Sequence, residues 1–170
     1  MRNCNFILIP FFLFSLTANC NYPDYQLENM RNTKEEILQE ALVYAKNKNG
    51  NDFEKIVLSR KEHNEMFWNH VGEKFTSDVG MTPDLAFEHM SLESLIAWRE
   101  LMKKLDDHKK ISFEKVECKA PSEKYGPFTL IRGCISTLYD EDKKETFTDS
   151  KIRTLIEYKG KYKVYNLKRD

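Results

Sequence analysis

Phe128-Thr129-Leu130-Ile131-Arg132-Gly133-Cys134-Ile135-Ser136-Thr137-Leu138-Tyr139 is the stretch on which the fold turns. Aromatic and β-branched residues dominate it, and apolar side chains fall on both parities. A strand covered on both faces has that composition, so the pattern predicts one long central strand over 128–139.

The chain on either side supports a sheet. Upstream, 111–119 is a strand whose apolar parity switches between Phe113 and Val116, which predicts a bulge. Pro121-Ser122-Glu123-Lys124-Tyr125-Gly126-Pro127 has the composition of a loop. Downstream, Asp140 to Glu145 is a charged, solvated turn, and 146–158 and 162–167 form a final hairpin around Lys159-Gly160-Lys161. A three-residue turn would oppose Ile156 to Val164 and Tyr158 to Tyr162. A two-residue turn would oppose Ile156 to Lys163, so the longer turn is expected.

Ahead of the strands the period is helical. Thr33-Lys34-Glu35-Glu36 fits a capping box, followed by Ile37, Leu38, Ala41, Leu42, Tyr44 and Ala45 at helical spacing. Asn49-Gly50 is a stop signal. Ser59-Arg60-Lys61-Glu62 is a second capping box, opening a segment with Met66, Phe67, His70 and Val71 that ends at Gly72. Thr82-Pro83-Asp84 begins a third helical run to about Leu105, with Thr as cap and Pro at the first helical position. Its apolar face comprises Leu92, Leu95, Ile96, Trp98, Met102 and Leu105, and Ser91 marks a kink.

Helices first and antiparallel strands after give an α+β domain over 33–170, with N-terminal helices packed on a curved antiparallel sheet of about four strands. This order, with the aromatic final strand Gly160-Lys161-Tyr162-Lys163-Val164-Tyr165, resembles the nuclear transport factor 2-like (cystatin-like or SnoaL-like) fold. The resemblance implies a cavity between helices and sheet. That fold hosts enzymes and non-enzymes alike, so it implies no activity.

The N-terminus sets the destination. Arg2 supplies a positive start, an uncharged apolar run follows over 6–16, and Thr17-Ala18-Asn19-Cys20 closes it. This is the layout of a secretory signal over 1–19. The run is too short to span a bilayer, which needs about 20 residues at roughly 1.5 Å each. The leader resembles that of bacterial lipoproteins, in which a box of small or aliphatic residues precedes an acylated cysteine. Leu16, Thr17 and Ala18 suit the box, whereas Asn19 departs from the usual Gly, Ala or Ser. The resemblance implies cleavage before Cys20 and lipidation of Cys20; the alternative is a plain cysteine after an ordinary cleavage site. A buried methylene contributes about 0.8 kcal/mol, so two or three chains are needed to hold stably. The segment 20–32 then reads as a lipidated tether, polar and flexible, whose Tyr22, Tyr25 and Leu27 alone could touch the domain.

Lys plus Arg and Asp plus Glu number 27 each. No basic excess argues for nucleic acid. Cys4 leaves with the leader. Cys118 and Cys134 remain in an exported domain, where a disulfide is expected and would contribute about 3 kcal/mol. The alternative is two buried thiols on neighbouring strands.

No arrangement carries catalysis. His63, Glu65 and His70 are the nearest approach to a metal set, but the two histidines stand two helical turns apart, about 10.5 Å. They are expected to be surface or half-buried, and His89 and His108 isolated. No metal and no cofactor is expected. Trp68, Trp98, Phe113, Phe128 and Tyr165 are the candidate pocket lining, with Phe67, Phe75, Phe87 and Tyr158 in the same aromatic set; the alternative is that they fill the core. The expectation is an exported envelope lipoprotein, held to the membrane by its lipid on the periplasmic or surface face. It would act as a binding module for a small apolar ligand or an envelope protein. The alternative is a small isomerase or dehydratase with one acid–base residue in the cavity.

Overall fold

The computed structural model describes residues 22–71 and 80–168. The leader, Cys20, Gly72 and Phe75 lie outside the described residues.

Helix α1 (Lys34–Lys46) starts as its sequence dictates. Thr33 Oγ1 accepts the Glu36 N–H at 3.1 Å, and the Glu36 carboxylate accepts the Thr33 N–H in return. Helix α2 (Gly50–Ile56) follows, with Asn49 at its cap. The expected stop at Asn49-Gly50 is therefore also a start. Ser59 and Glu62 make the reciprocal bonds of the second capping box. The turn they open continues as a π-helix over Glu62–Phe67. Helix α3 (Pro83–Asp106) is capped by Thr82 and runs without interruption through Ser91, so the kink expected there is absent.

Seven strands follow: β1 (Ile111–Cys118), β2 (Glu123–Tyr125), β3 (Phe128–Arg132), β4 (Cys134–Asp140), β5 (Glu145–Asp149), β6 (Thr154–Tyr158) and β7 (Lys161–Asn166). They form two antiparallel sheets, ordered β1-β4-β5 and β2-β3-β6-β7. The protein is thus α+β, with the helices leading.

Both long strands expected from the sequence are divided between the sheets. The break in 128–139 falls at Gly133, whose φ is +68° and whose added Cβ would lie 2.9 Å from the Ala120 nitrogen. Only glycine tolerates both conditions, and the chain leaves one sheet there and enters the other. The break in 146–158 falls between β5 and β6, where the buried Asp149 carboxylate accepts the Lys151 N–H at 2.9 Å. Part of the expected 121–127 loop is strand β2, paired through a tight turn with β3. The bulge in β1 lies between Phe113 and Lys115, within the expected interval.

The final hairpin corrects the expected turn. Tyr158 pairs with Lys161 and Ile156 with Lys163, so the loop is two residues, Lys159-Gly160. Both have positive φ, at 52° and 74°, as a type I′ turn demands. This turn matches strand twist, and the burial of Lys163 it entails is compensated elsewhere in the fold.

The β2-β3-β6-β7 sheet is covered on both faces. On one, Leu155 and Val164 join Leu38, Ala41, Phe53, Ala97, Leu101 and Leu138 in the main core. On the other, Phe128, Leu130, Ile156 and Tyr158 pack with Leu58, Phe67 and Val71, and with Tyr25, Leu27 and Met30 of the N-terminal segment. The flexible leash expected over 20–32 is therefore laid down on the domain from Asp24 onward. Lys159 Nζ pairs with the Asp24 carboxylate, and Tyr25 N–H donates to Tyr158 Oη at 3.0 Å. Tyr25 Oη lies 3.0 Å from His70 Nε2, and Arg31 bridges to Tyr162 of β7. The aromatic content of this segment explains the docking: the Tyr25 ring packs on Phe128 of β3 and Tyr158 of β6.

A disulfide joins Cys118 and Cys134, which are direct partners in the β1–β4 ladder. Asp140, expected in a solvated turn, is fully buried. His108 Nδ1 lies 2.6 Å from its carboxylate, and the backbone N–H groups of Asp142 and Lys143 donate to it. The Lys143 N–H, followed by His108, holds this carboxyl below the usual range. The charge is buried because the turn folds its own amides onto it.

Candidate functional site: an apolar groove beside helix α3

The cavity expected between helices and sheet is occupied by side chains. Leu38, Ala41, Leu101, Leu105, Leu138 and Leu155 meet there with at most 1% exposure. A largely apolar depression lies between α2 and the first half of α3.

Local sequence builds it. The Leu58 N–H donates to Val164 O at 2.8 Å, and Val57 bridges to Val164, so the chain leaving α2 is held against β7. Leu167 N–H donates to Ser94 Oγ at 3.1 Å, holding the middle of α3 at the far end of the same strand. Phe53 of α2 stacks on Trp98 of α3, with centroids 3.8 Å apart and planes at 20°. That stack is the floor at one end. Leu58, Phe87, Met90 and Leu95 line the rest, with Ser59, Ser91, Ser94 and Glu54 as the polar members. The volume is about 560 Å³, within the range of binding clefts.

Beyond the rim the apolar surface continues. Leu92 is 61% exposed, Leu95 47% and Leu85 42%. The sequence assigns Leu92 and Leu95 to the same inward face as Trp98 and Leu105. In the fold the buried stripe of α3 is Ala97, Trp98, Leu101 and Leu105, and at about 100° per residue Leu92 lies on the opposite side of the helix from Leu101. Helical periodicity locates an apolar stripe and cannot say how much of it finds a partner.

At the α3 N-terminus the groove ends in charge. Arg60 reaches Asp84 at 2.9 Å and Glu88 at 3.4 Å, with its guanidinium 5.2 Å from the Phe87 centroid. These pairs are exposed and contribute little to stability. Behind them His63 is buried, with Nδ1 2.7 Å from Asn64 Oδ1 and its ring against Trp68 and Phe87. Burial pushes its imidazole below the ordinary histidine range. The expectation of a surface or half-buried ring does not hold for His63.

The five expected pocket residues are not brought together. Trp98 lines the groove. Trp68 is buried beside His63. Phe128 is fully buried between Phe67, Tyr158 and Tyr25. Tyr165 lies edge-on to Phe67 with centroids 5.2 Å apart, and burial raises its hydroxyl to about 12. Phe113 borders a separate, more polar depression with Leu42, Val43 and Lys46. The aromatic set is therefore divided: Phe128 and Tyr165 pack with Phe67 and Tyr158, whereas Trp98 and Phe113 belong to the main core. Phe87, from the wider aromatic set, also lines the groove, whereas Leu58, Met90 and Leu95 are lining residues that sequence reasoning did not select; the apolar breadth of α3 was the signal for the last two.

Among the described residues no three His, Cys, Asp or Glu side chains are grouped to hold a metal ion. No described helix is long and apolar enough to cross a membrane. Comparison with family models, with curated proteins and with solved structures finds no match to this chain.

Proposed function

We propose that the chain is an exported lipoprotein, cut before Cys20 and acylated there, whose domain binds an apolar segment of an envelope protein in the groove between α2 and α3. The leader over 1–19 supports export and anchoring. The helices-first order and aromatic last strand support a nuclear transport factor 2-like layout as part of this reading.

The exposure of Leu92 and Leu95 carries the binding proposal. A small molecule seated in the groove would touch Leu95 and leave Leu92 in water. An apolar segment of another protein would cover the groove and the stripe together. The side chains packed between helices and sheet, Leu38, Leu101, Leu138 and Leu155 among them, favour this reading over the alternative isomerase or dehydratase chemistry.

Photo-crosslinking in cells tests this. A photoreactive residue at 92 or 95 gives a discrete adduct with one envelope protein, and one at the distant Lys143 does not. Ser91→Trp, which fills the groove from an exposed position, abolishes the adduct while the circular dichroism spectrum is retained. Absence of adducts at 92 and 95, adducts indifferent to Ser91→Trp, or a small apolar molecule carried by the native protein overturns the reading.

A further inference from the structure

The docked N-terminal segment dictates how a lipid on Cys20 would present the domain. Tyr22 is the first described residue, and its ring meets His70 edge-on at 5.2 Å. Asp24 is paired to Lys159 in the β6–β7 turn, and Tyr25 is bonded to Tyr158 and His70. His70 in turn covers the β2–β3 turn, where a Cβ on Gly126 would lie 2.3 Å from its Nδ1. The two tight turns of the β2-β3-β6-β7 sheet and the start of the docked segment thus share one end of the molecule.

One residue, Asn21, separates Cys20 from Tyr22, so two residue steps give a reach of at most about 7 Å. The headgroup layer on each side of a bilayer is about 5–7 Å deep. A lipid on Cys20 therefore leaves no slack for the domain to swing on a leash. We propose that this end, with Tyr22, Lys124, Lys159 and Lys161, is a membrane-contact face that rests on the lipid headgroups; this rests on the acylation of Cys20 proposed above. The chemistry suits the place. Tyr22 is 46% exposed although aromatic, and amphipathic rings settle at headgroup depth. Lys124, Lys159 and Lys161 are exposed around it, and basic side chains near an anionic leaflet add attraction.

The same geometry places the groove away from the bilayer. Strand β7 begins at the membrane-side turn, and Leu167, just past its other end, holds Ser94. Leu58 is held at Val164 and Ser94 at Leu167, three and six residues from Lys161, so at roughly 3.3 Å per residue the groove lies about 10–20 Å along the strand from that turn. The face that binds protein is then turned to the aqueous side.

The test uses the full chain, expressed with its leader and recovered from bacterial membranes. Mass spectrometry first shows whether Cys20 carries acyl groups. With Cys20 acylated and Cys118 and Cys134 joined, a cysteine introduced by Lys161→Cys, Lys124→Cys or Leu92→Cys is the one free thiol of the mature chain. Each labelled protein is placed in vesicles of phosphatidylethanolamine and phosphatidylglycerol containing headgroup-level quencher lipids. Labels at 161 and 124 are expected to be quenched at least threefold more than the label at 92. Tyr25→Ala combined with Asp24→Ala, which undocks the segment, narrows that difference. Equal quenching at all three sites, or stronger quenching at 92, on an acylated protein overturns the orientation and leaves the anchor standing. A protein without acyl mass overturns both.

Discussion

The ammonium of Lys163 lies 2.7 Å from each carboxylate oxygen of Glu62, 101 residues away in the chain, with both side chains buried. The same carboxylate accepts the backbone N–H of Ser59 and of Glu28, each at 2.8 Å. One buried ion pair therefore ties the last strand, the π-helix and the docked N-terminal segment together. It also explains why a two-residue hairpin that buries a lysine is tolerated. Lys163→Met leaves the carboxylate buried without its cation and is expected to cost about 3–5 kcal/mol. Adding Glu62→Gln should cost less than the sum of the two single changes, because the pair acts as a unit. Urea unfolding of the four proteins measures this. A loss below about 1 kcal/mol for Lys163→Met would mean that water reaches the pair.

His63 makes stability depend on mild acid. Its folded pKa lies below 6.5 because burial disfavours the imidazolium. The unfolded chain therefore takes up a proton first as pH falls. Stability is complete above about pH 6.5 and declines below it. The urea midpoint should fall between pH 7 and pH 5, and His63→Phe should flatten that decline. An unchanged slope in the variant would assign the effect to another group.

Tyr165 does the opposite at alkaline pH. Its folded pKa, raised to about 12 by burial, exceeds the unfolded value near 10. The folded state keeps its proton in that interval, so stability is full below pH 10 and is lost as pH rises towards 12. Tyrosinate absorbance should show a late component that Tyr165→Phe removes. A variant that titrates like the parent would place the late component on another tyrosine.

The disulfide closes a loop of sequence separation 16. Cys118→Ser with Cys134→Ala should cost about 3 kcal/mol, chiefly by freeing the unfolded chain. Calorimetry with and without reductant checks it, since reductant should bring the parent close to the variant. A drop below about 1 kcal/mol would indicate that the β1–β4 pairing already holds the loop ends together.

What was legible in the chain was local. Thr33 with Glu36, Ser59 with Glu62, and Thr82 with Pro83 each set a helix start through contacts within a few residues. The bulge after Phe113 shows as a change of parity, and Cys118 and Cys134 are the two cysteines left once the N-terminal pair is set aside. Such features depend on neighbours in sequence, so sequence reveals them.

Only the tertiary structure decided the rest, because each feature needs a partner far along the chain. The backbone approach of Ala120 turns Gly133 into a break between two sheets. Glu62 makes a buried Lys163 acceptable and so permits the shorter turn. The open aromatic face of β3 and β6 captures Tyr25 and converts a polar tether into part of the domain. Leu92 and Leu95 belong to the same broad apolar run as Trp98, yet they stay exposed because α3 turns its Ala97, Trp98, Leu101 and Leu105 side to the core. Apolar patterning says which side chains seek cover; the packing of the folded chain says which of them receive it.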